Sequence, residues 1–205
     1  LGIAMGGRRG TDVARESADL VLLDDSFSSI VEACKLGRRI YGNISKAVMY
    51  VIIVHIPFAG LALLPVLFNW PILLYPTHIV FAELVIDPAC SIVFEMEPAE
   101  KNLFHKPPRK STEHVLSLFE GIYSAFQGFL ILIICVLIFY LNWKFNPDFI
   151  GKIDDSGQRL VPRLSLEVLI GMTFCTLLIS NMGMIVSNRS KTRSALAMMK
   201  IFNPA

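Results

Sequence analysis

The chain has 205 residues, of which 54% are apolar, and its formal net charge is +2. Its apolar residues form long blocks, and a block of about 20 can cross a hydrocarbon core about 30 Å thick. The composition therefore excludes an ordinary soluble domain and indicates a polytopic integral membrane protein in a lipid bilayer. Three of the four cysteines fall inside these blocks, so we expect no disulfide framework, and we expect no nucleic-acid partner.

The N-terminal part, residues 1–28, has the pattern of a β-α-β piece. Ile3 to Met5 predict a strand, Thr11 is placed to cap a short helix, and Leu20 to Leu23 predict a second strand. The glycine-rich turn between the first strand and the helix has two interpretations. It can hold a phosphate at a helix N-terminus, or it can simply close the strand onto the helix. The second is favoured because the spacing of a known phosphate-binding motif is absent.

A stalk helix is predicted over residues 29–46, with Ser29 and Glu32 in capping-box spacing. The pattern then becomes wholly apolar without a stop signal. We therefore expect one continuous helix from a soluble part into the first span, and such a helix would transmit motion of the soluble part to the membrane.

The C-terminal part, residues 47–205, predicts a bundle of four transmembrane helices. Fifteen of the nineteen Lys and Arg residues fall on one side if both chain ends and the second-to-third connection are cytoplasmic. The connection 95–117 is then a charged cytoplasmic segment, and 142–165 is a polar outer loop. The predicted spans are about 47–68, 71–94, 119–141 and 166–186.

Two acids lie inside the second span. Glu83 and Asp87 are four residues apart, a spacing that places both carboxylates on one face of a helix. An unpaired carboxylate in hydrocarbon costs at least ~2.5 kcal/mol on insertion scales, so the pair needs a cation, a proton or a water-filled cavity. Pro88 removes an N–H and would free the carbonyl of Leu84. Carboxylates beside free carbonyl oxygens predict a hard-cation site, with Glu83 and Asp87 as metal ligands.

Other polar residues in the spans are candidates for the same site. His55 precedes Pro57, which would kink the first span and free the carbonyl of Ile53. His55 has three interpretations: metal ligand, proton acceptor or hydrogen-bonded packing residue. Asn181 in the last span is either an ion ligand or a residue that joins helices.

Several short runs in the chain match the motifs of one known family. They are Gly2-Ile-Ala-Met-Gly6, Gly10-Thr-Asp-Val-Ala14, Ala18-Asp-Leu-Val-Leu-Leu-Asp-Asp25, Phe27-Ser-Ser-Ile30, Gly37-Arg-Arg-Ile-Tyr41, Glu83-Leu-Val-Ile-Asp87 and Lys106-Pro-Pro-Arg109. Together they resemble the P-type cation-transporting ATPases, in the calcium-pump-like branch of bacterial type. The five N-terminal runs resemble the end of the HAD-like phosphorylation domain, and the last two resemble the unwound sixth helix and the cytoplasmic connection after it. The resemblance covers nearly all of the chain and is strongest over residues 1–110.

The resemblance implies site residues. Glu83 and Asp87 match ion-ligand positions of calcium pumps, His55 matches a ligand amide on the fifth helix, and Asn181 lies near the eighth-helix ligand. Phe58 and Ile86 stand where calcium pumps have an acid and a hydroxyl. The resemblance therefore implies that one of the two ion sites is poorly formed, and we expect one divalent cation per cycle.

The resemblance also implies parts that this sequence lacks. The phosphorylated aspartate, the dephosphorylation loop, the nucleotide-binding domain and the Mg²⁺-binding motif would precede Leu1, and the ninth and tenth helices would follow Ala205. The chain is then expected to be a fragment with no catalytic residue of its own, while the full-length pump is an enzyme that uses ATP and Mg²⁺. A plasma membrane, the inner membrane of a bacterium, is the expected location.

Three classes of function remain open from the sequence. The first is the transport part of an ATP-driven cation pump, with Ca²⁺ ranked before Mn²⁺ and a proton or monovalent cation third. The second is a stand-alone ion channel or secondary carrier built around Glu83 and Asp87. The third is a non-catalytic membrane partner. The N-terminal β-α-β piece favours the pump, because a channel has no use for part of a phosphatase-like domain.

Overall fold

The structure is a computed structural model that describes residues 1–5, 10–99, 107, 114–145, 152–153, 159–160 and 163–190. Within these ranges, it describes only the backbone of residues 85–87, 89–90, 152–153, 159–160 and 163–165. Much of the predicted connection 95–117 and much of the middle of the outer loop 142–165 therefore lie outside the described residues. The chain divides into two units, Leu1–Gly42 with Ala99–Arg109 and Asn43–Pro98 with Lys110–Ala205.

The first unit contains the predicted β-α-β piece. Strands β1 (Ile3–Ala4) and β2 (Leu20–Val21) are parallel, with helix α1 (Asp12–Glu16) between them. The Thr11 side chain accepts a hydrogen bond of 3.3 Å from the N–H of Ala14, which confirms Thr11 as the N-cap.

Helix α2 (Phe27–Phe68) begins two residues before the predicted stalk. The predicted capping box is wrong, because Ser29 lies within the first turn and its hydroxyl donates to Asp24 Oδ2 at 2.5 Å. The backbone N–H of Ser26 donates to Asp24 as well. The Ser29 hydroxyl first and the Ser26 N–H second hold the pKa of Asp24 below its ordinary value, because both stabilise the charged carboxylate.

The same helix α2 continues through the predicted first span and ends where the sequence predicts. Asn69 adopts a left-handed conformation with φ of 53°. The N–H of Trp70 then donates to the carbonyl of Pro65 at 2.9 Å. Residues in these relative positions form a Schellman-type stop, which satisfies a carbonyl that the helix leaves open.

The predicted second span is a helix of mixed geometry. It consists of α3 (Pro76–Phe81), a π-helical turn (Ala82–Ile86) and α4 (Asp87–Glu95). It begins at Pro76 rather than at Pro71, because the segment before it is irregular and proline is favoured at a first helical position. The resemblance implies an unwound segment between α3 and α4. The structure has a widened, π-helical turn there instead.

The last two predicted spans are helices α5 (Leu118–Phe145) and α6 (Arg163–Asn188). Between them the sequence predicted only a polar loop, but the structure has two antiparallel strands there, β3 (Lys152–Ile153) and β4 (Arg159–Leu160). Among the described residues, three helices are long and apolar enough to cross a membrane: Phe27–Phe68, Leu118–Phe145 and Leu166–Asn188.

The apolar core of the second unit joins all of its helices. Tyr50 of α2 contacts Phe94 of α4, with ring centroids 5.4 Å apart. Trp70 lies against Phe139 of α5, with ring centroids 5.7 Å apart. The buried apolar residues of this core are Tyr50, Ile53, Val54, Phe58, Leu61, Leu73, Leu74, Ala82, Phe94, Ile131, Cys135, Phe139, Leu169, Leu177 and Ile185.

Candidate cation site

His55 and Glu83 come together in the structure. His55 lies on α2 and Glu83 lies in the π-helical turn, and the distance from His55 Nε2 to Glu83 Oε1 is 3.6 Å. The two side chains are 52% and 42% exposed, so the pair is open on one side. The structure thus brings together two residues that the sequence placed on different helices.

The hydrogen bonding of His55 determines its tautomer. Its Nδ1 lies 2.8 Å from the carbonyl oxygen of Val51. A carbonyl oxygen only accepts, so Nδ1 must carry the hydrogen, and in a neutral imidazole Nε2 then has none. Metal-ligating histidines are commonly oriented in this way, with the other ring N–H donated to a backbone carbonyl.

The short distance between His55 and Glu83 therefore joins two acceptors. Nε2 carries a lone pair and an ionised carboxylate has acceptor oxygens only. Two acceptors at 3.6 Å repel each other unless a hydrogen-bond donor or a cation joins them. The candidates are a proton held by either group, a water molecule that donates to both, and a metal ion bound by both atoms.

Asp87 begins α4, immediately after the π-helical turn. Its side chain is outside the described residues, so its predicted role as a ligand stays a prediction. Pro88 directly follows it and has no N–H. An α-helical bond from that position would have reached the carbonyl of Leu84, and a π-helical bond would have reached the carbonyl of Glu83. The backbone carbonyl oxygens of the turn that carries Glu83 therefore have one N–H donor fewer than in a helix without proline.

Asn181 is buried in α6, with only 1% of its surface exposed. Within the described part of the chain, its side-chain oxygen has no hydrogen-bond partner. A buried amide oxygen without a partner costs about 1–3 kcal/mol, so this oxygen would gain from a ligand that donates to it or binds it. The predicted role of Asn181 as an ion ligand stays a prediction.

Pro57 lies inside α2, two residues after His55. The carbonyl that Pro57 frees, that of Ile53, faces Gly128 of α5: a Cβ built on Gly128 would be 2.8 Å from this oxygen. Gly128 therefore allows α5 to lie directly against the part of α2 that contains Pro57. This contact could not be predicted from the sequence, because a glycine in an apolar helix is compatible with many environments.

Among the described residues, no group of three or more His, Cys, Asp or Glu side chains comes together. His78, another histidine within the predicted spans, stacks on Phe174 with ring centroids 4.4 Å apart. The described part of the site is thus one imidazole–carboxylate pair at a π-helical turn, and Asn181 stays a predicted ligand.

Apolar helices of membrane-spanning length, together with an acid and an imidazole that lie close to each other among them, define an integral membrane protein with a polar pair between its helices. Comparison with known proteins agrees with this class. A family model described as "Cation transporting ATPase, C-terminus" matches residues 71–205. The chain belongs to the P-type cation-transporting ATPases.

Several relatives are similar over most of this chain. "Calcium-transporting ATPase 1" of Bacillus cereus is 32% identical over 178 residues, which cover 82% of this chain and 20% of the relative. "Calcium-transporting ATPase" of Bacillus subtilis is 34% identical over 148 residues, covering 72% of this chain and 16% of the relative. The human "Calcium-transporting ATPase type 2C member 1" is 29% identical over 194 residues, covering 95% of this chain and 19% of the relative. The chain spans about a fifth of the length of these relatives.

Proposed function

We propose that this chain is the ion-translocating part of an ATP-driven pump for a divalent cation. The observation that carries the proposal is the pair formed by His55 Nε2 and Glu83 Oε1, two acceptors 3.6 Å apart. Asp87, the next acid along the same segment, and the buried oxygen of Asn181 complete the proposed ligand set. ATP and Mg²⁺ act in the part of the pump that supplies phosphorylation, and the proposed location is the inner membrane of a bacterium, with both ends of this chain cytoplasmic.

The π-helical turn has a clear role in this proposal. A π-helical turn inside an α-helix is uncommon and is frequently found at functional sites. In this chain it carries Glu83, and Pro88 denies its carbonyl oxygens one donor. A cation that enters the site can therefore be held by carboxylate and backbone oxygens, and a change in the twist of the turn would move these oxygens and release it.

Ca²⁺ is the first candidate for the transported ion and Mn²⁺ the second. Ca²⁺ prefers six to eight oxygen ligands, and the proposed set offers carboxylate, amide and carbonyl oxygens. The three relatives named above carry calcium transport in their names. Mn²⁺ is the second candidate because the pair includes an imidazole nitrogen, which Ca²⁺ sites rarely use.

A proton or monovalent-cation pump is the runner-up, and it has a specific observation in its favour. A proton on His55 Nε2 would satisfy the pair without any metal ion. Glu83 alone would then be the acid that binds and releases the transported charge. The two proposals differ in which cations stimulate ATP hydrolysis.

The experiment that separates them measures ATP hydrolysis by the full-length pump across Ca²⁺, Mn²⁺, Na⁺ and K⁺ at fixed Mg²⁺. We expect stimulation by a divalent ion that is lost in Glu83→Gln and in Asp87→Asn. Glu167→Gln is the matched control, because Glu167 is an exposed acid of α6 outside the proposed site. Unchanged ion dependence in both site variants would refute the assignment, and stimulation by monovalent ions alone would support the runner-up.

A further inference from the structure

A buried ion pair joins the ends of two helices that carry proposed ligands. Arg189 follows the end of α6 and Glu97 follows the end of α4. The distance from Arg189 Nε to Glu97 Oε2 is 2.8 Å, and the two side chains are only 9% and 2% exposed. This pair lies outside the candidate cation site and no part of the proposed function uses it.

Helix α2 is attached to the same place. The side-chain amide of Asn43 donates to the carbonyl of Glu97 at 2.9 Å and to the carbonyl of Glu95 at 3.4 Å. Glu95 is the last residue of α4, so its carbonyl is one that the helix itself leaves open. We call Asn43, Glu97 and Arg189 the helix-end cluster.

The helix-end cluster connects the helices that bear the proposed ligands. His55 is on α2 with Asn43, Asp87 is on α4, and Asn181 is on α6 shortly before Arg189. At a rise of 1.5 Å per residue, His55 lies about 18 Å along α2 from Asn43, and Asn181 lies about 12 Å from Arg189. Each segment between cluster and ligand is helical for all or nearly all of its length, so a shift at the cluster is carried to the ligands.

Stability alone gives a weak reason for such a pair. A buried ion pair often contributes no more than well-packed apolar residues of the same volume, because both charges lose their hydration. A buried pair does supply geometric specificity, because a charged hydrogen bond of 2.8 Å fixes which atoms of two segments are in contact. A binding site requires its ligands to be held within roughly 0.5 Å of their working positions.

We propose that Arg189 is a positioning residue for the cation site. Through Glu97 it fixes the end of α4 against the end of α6, and thereby sets the distances between the ligands on these helices. This inference rests on the proposed function, because it assigns Arg189 to the geometry of that site.

The test is cation-dependent phosphorylation of the full-length pump by ATP. In Arg189→Met, we expect the cation concentration for half-maximal phosphorylation to rise on the order of 3- to 30-fold, while the maximal phosphorylation per folded pump stays at the parental level. Arg189→Lys keeps the charge and should recover part of the affinity. Lys144→Met is the control, because it removes a cation from the end of α5, outside the helix-end cluster.

A second variant covers the case in which Arg189→Met fails to fold because Glu97 is left buried without its cation. In the double variant E97M/R189M both charges are gone, so folding is expected to survive while the directed contact is lost. We expect the same rise in the half-maximal concentration in this folded double variant. A parental value in folded E97M/R189M would overturn the inference and leave the pair a structural feature only.

Glu83→Gln in the same assay separates the two proposals. If Glu83→Gln abolishes the cation dependence and the Arg189 variants do not change it, the inference about Arg189 is wrong and the proposed function stands. If the parental pump shows no cation dependence at all, both are wrong.

Discussion

Replacement of Gly128 by alanine probes the contact that places α5 against the part of α2 that contains Pro57. The new Cβ would lie 2.8 Å from the carbonyl oxygen of Ile53 and 3.0 Å from Cβ of Ile56. A backbone oxygen cannot rotate away as a side chain can, so α5 must move. Overpacking of this kind typically costs about 1–3 kcal/mol.

Gly121→Ala is the matched control for this substitution. Gly121 lies on the same helix, and no atom is within 4 Å of the Cβ that alanine would add. Both substitutions remove a helical glycine and gain about 1 kcal/mol of helix propensity, so this gain cancels in the comparison. The difference between the two variants therefore isolates the cost of the contact, about 1–3 kcal/mol.

The assay is the temperature at which half of the purified full-length pump loses its monodisperse peak in size-exclusion chromatography. We expect the midpoint temperature of Gly128→Ala to lie below that of Gly121→Ala. The expected difference is about 2–4 °C for each kcal/mol of lost unfolding free energy, the value for a domain of the size of the second unit. Because His55 is close to the Ile53 carbonyl in α2, Gly128→Ala should also weaken cation stimulation. Equal midpoints for the two alanine variants would refute the close approach of the helices.

Two further predictions concern His55 and Asp24. His55→Asn replaces a nitrogen ligand by an amide oxygen, which favours Ca²⁺ over Mn²⁺. The Mn²⁺ concentration for half-maximal ATP hydrolysis should therefore rise relative to the Ca²⁺ concentration. An unchanged ratio of the two concentrations would show that His55 does not contact the ion. The lowered pKa of Asp24 predicts a contribution to stability that is complete above its unfolded pKa of about 3.9 and is lost as pH falls through the folded pKa. The thermal midpoints of the parent and of Asp24→Asn should therefore differ by a constant amount between pH 6 and 8. The two midpoints should converge in acid, and a difference that grows as pH falls would contradict this.

Local signals in the sequence were sufficient for much of the fold. The cap at Thr11 requires only its own side chain and the next helical turn, and the structure confirms it. The ends of the long apolar helices follow from hydropathy and from residues such as Asn69 that adopt a left-handed conformation readily. The start of the second span was placed too early at Pro71, because hydropathy does not distinguish an apolar irregular segment from an apolar helix.

Contacts between distant segments could not be predicted in the same way. The ion pair between Glu97 and Arg189 joins residues 92 positions apart, and no periodicity relates them. The Gly128 contact likewise depends on how two helices pack. The π-helical turn was missed because Pro88 indicates a disturbed helix but does not decide between unwinding and widening.

The candidate site was partly accessible from the sequence. Glu83 and His55 were both named from the cost of polar groups in an apolar environment, and the structure places them 3.6 Å apart. The tautomer of His55 was not accessible, because it depends on the distance of Nδ1 from the Val51 carbonyl. That distance is what identifies the close atoms of His55 and Glu83 as two acceptors, on which the proposed cation site rests.

The central claim is tested most directly by equilibrium binding of Ca²⁺ and Mn²⁺ to the full-length pump, counted per phosphorylation site. The proposal predicts one bound divalent ion in the parent and none in the double variant E83Q/D87N, with Glu167→Gln binding as the parent does. One divalent ion still bound to E83Q/D87N, or two bound to the parent, would contradict it.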